Sequence, residues 1–246
     1  MQYSAVTHRG YVREQNEDAY YLPGAKGAPG NLAIVADGMG GHRAGEVASA
    51  MAVRSAVIAF GRLQDTPGMT LREKIFQAMN EANREVYEAT QESEQYAGMG
   101  TTMTLAVLDE EKIDLGHVGD SRAYLFHEGA LRQITRDHTL VQQLIDLGEL
   151  LPQERRGHPQ GNIITRALGT ARIVDVDLIE EKWQRGDMLL LCSDGLTGAV
   201  TDEEIAAVLG GQEPREALQT LLGLALKRGG RDNITIALIL HGGDAQ

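Results

Sequence analysis

The sequence predicts an α+β protein in which antiparallel sheets pack together and helices cover the outside. Three observations lead there. Short apolar runs in the middle of the chain are joined by connections of a few residues, which antiparallel neighbours tolerate and parallel ones do not. Two pairs of helical patterns interrupt the strands, one pair early and one late. Short acidic islands recur where an apolar run stops, as at Asp37 after Leu32–Ala36 and at Asp194 after Met188–Cys192.

Taken in order, Ala5 to Tyr21 mixes strand-like pieces with a polar loop around 13–18. Residues 22–31 form a loop by their Pro23, Gly24, Gly27, Pro29 and Gly30. Leu32–Ala36 is a buried strand, and 38–41 a tight turn. From Gly45 to Leu63, Val47, Met51, Val53, Val57, Ile58 and Phe60 fall at near-helical spacing, which predicts a long helix. Pro67 and Gly68 break it. Residues 70–92 form a second long helix whose apolar stripe is Leu71, Ile75, Met79, Ala82 and Val86. An antiparallel meander is expected through strands at 101–108, 113–118, 122–127 and 131–134, with turns at 109–112 and 128–129. Thr139 to Leu147 is a short helix. Residues 148–164, with Pro152, Gly157, Pro159 and Gly161, are an irregular insert. Strands follow at 174–181 and 188–192. Thr201 caps a helix through Leu209, with Glu204 at the capping-box position. Pro214 opens another to about Lys227, and 234–240 is a closing strand. No linker rich in Gly, Pro or Ser divides the chain, so residues 1–246 are expected to be one domain.

The chain has 246 residues, of which 42% are hydrophobic and only 4% aromatic, so small aliphatic side chains must fill most of the core. Its formal net charge of -12 disfavours nucleic-acid binding, which needs Lys and Arg to neutralise phosphates. Cys192 is the sole cysteine, so no internal disulfide can form. Lying in an apolar run, it reads as a core residue rather than a nucleophile. No secretory signal is visible, and no apolar run approaches the roughly 20 residues that span a bilayer. The expectation is a cytoplasmic, monomeric protein with no membrane partner.

The islands carry the chemistry. They are Asn16-Glu17-Asp18, Asp37-Gly38-Met39-Gly40-Gly41, Gly119-Asp120-Ser121-Arg122, Ser193-Asp194-Gly195 and Arg231-Asp232-Asn233. A carboxylate at the end of a buried strand is costly unless a cation or hydrogen bonds compensate it. Any one island alone reads better as a plain turn or a helix cap than as a metal ligand. Together they suggest one place where oxygens hold hard divalent cations.

The ordered set resembles the metal-dependent serine/threonine protein phosphatases of the 2C type, and looks most like their compact bacterial members. The resemblance runs through Arg13 to Asp18, Asp37 to His42, Gly100-Thr101-Thr102 and Val118 to Arg122. It continues at Arg136-Asp137-His138, Thr165 to Gly169 and Ser193 to Leu196, and ends at Asp232 to Thr235. It implies a four-layer α-β-β-α sandwich with two antiparallel β-sheets, two metal ions between them, and a single catalytic domain with a flap at about 148–164. It also implies removal of phosphate from serine and threonine by a water or hydroxide bridging the metals, with a kinase and its targets as partners.

Residue by residue, the resemblance makes Asp37 the ligand shared by both ions. Gly38 supplies a backbone carbonyl and Asp18 a carboxylate to one ion. Asp194 and Asp232 complete the other. Asp120, with Asp194, would hold a third, weaker ion. Such a set of oxygen ligands, with no Cys or His cluster, favours magnesium or manganese. Arg13 would grip the phosphate, where a guanidinium can bond two oxygens at once. His42 is the candidate general acid, against a rival reading as an exposed histidine at a helix start. Asn16 and Asn233 are expected to fix orientation, and Thr101, Thr102 and Ser121 to support the ligands. His138 is expected to order a loop, Asp137 to cap one, and Trp183 to pack. Arg155, Arg156 and His158 of the insert are either surface charge or contacts for acidic peptide. Two rival functions stand beside this one. An inactive scaffold would require missing ligands, and none is missing. Another two-metal phosphoesterase, such as a nuclease, is disfavoured by the acidic balance.

Overall fold

The computed structural model describes residues 1–24, 30–40 and 44–242. Two antiparallel sheets stack face to face. One runs in the order β1 (Gln2–His8), β11 (Ile234–Leu240), β10 (Met188–Cys192), β7 (Arg122–His127) and β8 (Ala130–Gln133). The other runs β2 (Asp18–Tyr21), β3 (Leu32–Met39), β5 (Met103–Leu108), β6 (Lys112–Val118) and β9 (Asp177–Lys182), with the short β4 (Gly100–Thr101) also pairing with β3.

Strand alternation sorts the apolar residues into layers. Along β3, Leu32, Ile34 and Ala36 face α1 (Ala44–Leu63) and α2 (Leu71–Glu92), while Ala33 and Val35 enter the core between the sheets. On the opposite sheet, Leu190, Cys192, Ile234, Ile236 and Leu238 pack under α4 (Asp194–Thr197), α5 (Asp202–Gly211) and α6 (Pro214–Lys227). Leu189, Leu191, Ala237 and Ile239 face inward. The four-layer sandwich expected from the resemblance is therefore the observed architecture. The helix starts are set by side chains: Thr70 and Glu73 close a capping box on α2, and Thr201 and Glu204 close one on α5. The short α3 (Leu140–Asp146) is capped by Thr139.

Several elements differ from expectation. The stretch from Gly38 does not turn, because β3 continues to Met39 and pairs Gly38 with Thr101 and Met39 with Gly100. The strand expected at 101–108 is interrupted at Thr102, whose N–H bonds the Asp37 carbonyl at 2.9 Å instead of continuing the ladder. The meander is broken as well: β5 and β6 pair in one sheet, but β7 and β8 pair in the other. The connection 119–121 crosses between sheets. Gly119 makes the corner with φ +110°, and a Cβ there would lie 2.5 Å from Thr102 side-chain atoms. The strand expected at 174–181 begins only at Asp177, because its partner β6 ends at Val118, one residue past the His117–Asp177 pair. The loop expected at 22–31 lies partly outside the described residues. Helix α1 is, by length and composition, apolar enough to cross a membrane, contrary to expectation. Its apolar stretch is more than half buried, with Ala48, Ala52, Ala56, Ala59 and Phe60 in the core.

Antiparallel pairing brings the end of each strand beside the start of the next. The C-terminal ends of β3, β6 and β10 and the N-terminal ends of β2, β7 and β11 consequently meet at one end of the sandwich.

Candidate active site

Five of the carboxylates singled out from sequence come together at that end. Asp18 and Asp37 are direct cross-strand partners on β2 and β3. Asp120 stands in the corner between sheets, Asp194 opens α4 at the end of β10, and Asp232 precedes β11. Asp37 continues the inward alternation of Ala33 and Val35, which places it between the sheets.

The backbone around Asp37 is fully bonded. Its N–H donates to Thr102 Oγ1 at 2.9 Å, and its carbonyl accepts from Thr102 N and Thr101 Oγ1, both at 2.9 Å. Thr102 Oγ1 meets Ser121 Oγ at 2.7 Å, tying the Asp37 strand to the Asp120 corner. Gly38 N donates to Glu17 O at 3.0 Å, and a Cβ on Gly38 would stand 2.0 Å from Gly45 O and 2.6 Å from Glu17 O. Only glycine allows that approach. The supporting roles expected of Thr101, Thr102 and Ser121 correspond to these bonds.

Asn233 clamps the N-terminal loop. Its Oδ1 accepts from Glu17 N at 2.7 Å, and its Nδ2 donates to Arg9 O and Gln15 O at 2.9 and 2.8 Å. Asn16 Oδ1 accepts from Asp18 N at 3.3 Å. His138 holds the Asp120 corner from both sides: its Nδ1 accepts from Gly119 N at 2.9 Å, and its own N–H donates to Gly119 O at 2.8 Å. Its Nε2 faces Asp177 Oδ2 at 3.2 Å, so the ring carries its proton there. Asp137 is ion-paired to Arg122 at 2.7 Å, so it has its own counter-charge.

The side chains of the cluster are left wanting. Asp18 Oδ2 accepts from Ser193 Oγ at 2.8 Å, but Asp18 Oδ1, Asp120 Oδ1 and Asp194 Oδ1 are buried with no hydrogen-bond partner. Burial, and then repulsion from Asp194 and Asp232, push the Asp18 carboxyl up to about 7. Burial and Asp194 push Asp120 up to about 8, and burial and Asp232 push Asp194 up to about 6. Asp37 is raised well above the ordinary carboxylate range by burial and by the other four acids. Such a group of acids is unfavourable as it stands and favourable around positive charge. Among the described residues no group of three His, Cys, Asp or Glu side chains is closed into a ready metal cage. An open arrangement suits a hard cation that keeps several waters and takes only one or two carboxylates.

Arg13 lies at the rim. Its Nη2 donates to Asp232 Oδ2 at 2.8 Å, which spends a minor part of its donors and leaves the rest for an anion. His42 lies outside the described residues. Cys192 is buried in the core, its thiol pushed up to about 12 by burial, and so is no nucleophile. Trp183 packs between the sheets with Nε1 bonded to Asp109 O at 2.8 Å. The insert is irregular apart from one 3-10 turn at Pro152–Glu154. Of its basic residues, Arg155 turns to Gln142 and Asp137, and His158 Nδ1 accepts from Gln160 N. Arg156 alone reaches the site, where it lines a cavity of about 410 Å³ with Asp194, Asp232, Arg228 and Arg231. Nothing in the sequence pointed to Arg228 here, and Arg231 stood in the island with Asp232 without a role assigned to it.

The profile of the protein phosphatase 2C family matches residues 7–222. The chain belongs to the protein phosphatase 2C family. It is 41% identical over 239 residues to the serine/threonine protein phosphatase PstP of Mycobacterium tuberculosis, covering 97% of this chain but only 44% of that protein. This family member thus spans less than half the length of that relative. It is 39% identical to a putative protein phosphatase 2C-type of Streptococcus pyogenes, covering 97% of both. Among solved structures, the catalytic domain of PstP in complex with two manganese ions is similar with a TM-score of 0.83 and 39% identity, covering 96% of both chains.

Proposed function

We propose that this chain is a magnesium- or manganese-dependent phosphatase acting on phosphoserine and phosphothreonine in proteins. The observation that carries the reading is the set of orphaned buried oxygens on Asp18, Asp120 and Asp194 beside a partly uncommitted arginine. The donor set is carboxylate and carbonyl oxygen, which fits hard divalent cations. In this reading Asp37, Asp18 and the Gly38 carbonyl, together with Asp194 and Asp232, would hold two ions. Asp120, with Asp194, would hold a third. Bound there, the ions would supply Lewis acidity and lower the pKa of water toward neutrality.

The chain's own residues do the rest. Arg13 binds two phosphate oxygens and offsets the charge that develops on them. Asp232 keeps that guanidinium beside the acid cluster. Ser193, Thr102 and Asn233 hold the carboxylates and the 9–17 loop in register. The proton needed by the departing serine or threonine oxygen is assigned to His42, an imidazole being suited to it near neutrality. Residues 148–164 act as the flap of a single catalytic domain. A protein kinase and its targets are the natural partners, met by a monomer in the cytoplasm. Hydrolysis of p-nitrophenyl phosphate with manganese, lost in Asp37→Asn, tests the reading. A phosphodiester should be inert where a phosphopeptide is cleaved. The reverse preference would make the chain another kind of phosphoesterase.

A further inference from the structure

We propose that the cavity beside the carboxylate cluster is an anion subsite that selects peptides carrying an acidic group close to the phosphorylated residue; this rests on the phosphatase reading above. The cavity, about 410 Å³, falls in the range of small-ligand pockets and suits a few residues of extended chain. Asp194 and Asp232 form part of its wall, so it opens directly from the place where phosphate would sit. Arg156 of the insert lines it, as do Arg228 and Arg231 of the loop after α6.

The three arginines are not equivalent. Arg228 is already committed: it donates to Glu204 Oε2 at 2.6 Å and to the Ala199 carbonyl at 2.8 Å. Arg156 gives one N–H to that same carbonyl at 3.3 Å. Neither Arg156 nor Arg231 takes part in an ion pair among the described residues, although Arg13, Arg54, Arg62, Arg84, Arg122, Arg132, Arg136, Arg155, Arg166 and Arg228 all do. Arg9, Arg72, Arg172, Arg185 and Arg215 are also outside the ion pairs of the described residues, so what marks Arg156 and Arg231 is their shared place on the wall of one cavity beside Asp194 and Asp232. Two such arginines facing one cavity at the edge of the acid cluster make a basic recess. Once cations neutralise Asp194 and Asp232, its field is positive. A guanidinium pair of this kind takes a carboxylate or a second phosphate by charge-assisted hydrogen bonds.

The test compares phosphothreonine hexapeptides in which one glutamate is moved through each flanking position in an otherwise alanine background. kcat/KM is measured with manganese. The expected result is one position where glutamate raises kcat/KM by about fivefold over alanine, with the gain shrinking at high salt. In the Arg156→Ala/Arg231→Ala variant the ratio should approach one, and the doubly Lys-substituted variant should recover part of it. Because the ratio is taken within one enzyme, a change in intrinsic rate or folded fraction cancels. A non-hydrolysable phosphonate at the preferred position distinguishes the two anions: a larger gain than glutamate assigns the recess to a second phosphate. A wild-type ratio of one at every position, or a ratio the double variant leaves untouched, overturns the subsite. If p-nitrophenyl phosphate is hydrolysed all the while, only the subsite falls. If it is not, the phosphatase reading falls with it.

Discussion

Asp120 and Asp137 sit on either side of one β-hairpin, at 7% and 6% exposure, and are provisioned in opposite ways. Asp137 has its own cation. Arg122 reaches it through Nε and Nη2, and Gln133 Nε2 adds a bond at 2.8 Å. The same arginine donates to Tyr124 Oη at 2.9 Å, which donates in turn to Asp202 Oδ1 at 3.1 Å. Asp120 has an orphaned Oδ1, and after burial the largest influence on it is another acid, Asp194, with Arg122 offsetting only part of it and making no ion pair with it. Burial of an aspartate therefore says little by itself. What separates a structural acid from a ligand is whether the chain supplies the counter-charge or leaves it to be supplied.

The sharpest way to break this comparison is to neutralise one acid of each kind. Asp37→Asn should lower kcat by about a thousandfold or more, since several kcal/mol of charge stabilisation goes with the cation. The same change should raise the melting temperature of the metal-free protein, because it relieves repulsion among buried acids. Asp137→Asn should do the reverse. It strands Arg122, whose side chain is 14% exposed, without a counter-charge, at a cost of about 3–5 kcal/mol. That is a fall in melting temperature on the order of 10 °C for a chain of this size. If both variants shifted stability in the same direction, the two acids would not differ in kind.

Acidity sharpens the contrast next. In the metal-free protein the folded-state values of Asp120, Asp18 and Asp194 stand at about 8, 7 and 6, above the ordinary 3.8. The unfolded chain loses these protons near pH 4, and the folded one holds them longer. Between pH 4 and 8 the folded state thus binds more protons, and stability falls as pH rises. Denaturant melts without metal should lose at least about 3 kcal/mol from pH 5 to pH 8. A flat or rising profile would mean the cluster is not strained.

The scaffold was more legible than this difference. Helices α1, α2 and α6 and strands β10 and β11 follow from apolar spacing, Thr70 and Pro214, to within a residue. Helix α4 shows no periodicity because it is a single turn. The crossing at Gly119 escaped because the alternation of Ile113–Val118 and Arg122–His127 is the same whichever sheet receives them. That crossing also decides which acids meet. Asp137 and Asp120 both follow turn-like signals, and only the fold across the hairpin gives one of them Arg122. That five of the acids would cluster was readable through their order along the chain, matched to a family, while Arg231 stood in the last island with no signal for a role of its own.

Restoring the counter-charge is the converse of removing an acid. Manganese at about 100 times its dissociation constant should stabilise the protein by about 2.7 kcal/mol, or roughly 5–10 °C in melting temperature. The gain should be largest near pH 8, where the bare acids repel most, and smallest near pH 5, where protons already neutralise them. A metal effect independent of pH would place the ions elsewhere.

The smallest expected effect concerns the one arginine that serves both sides of the comparison. Arg13 donates to Asp232 at 2.8 Å and is about half exposed, so it is less tightly committed than Arg122. Arg13→Ala removes a charged hydrogen bond to phosphate and should cost about tenfold in kcat/KM on a phosphopeptide. If the guanidinium mainly holds the ground-state phosphate, KM rises and kcat changes little. If it acts on charge developing at the equatorial oxygens, kcat and kcat/KM fall together. Arg13→Lys separates these further, because an ammonium keeps the charge and loses the paired geometry. Lys restoring KM but not kcat would assign Arg13 to orientation in the transition state, while full recovery by Lys would reduce its role to a point charge beside Asp232.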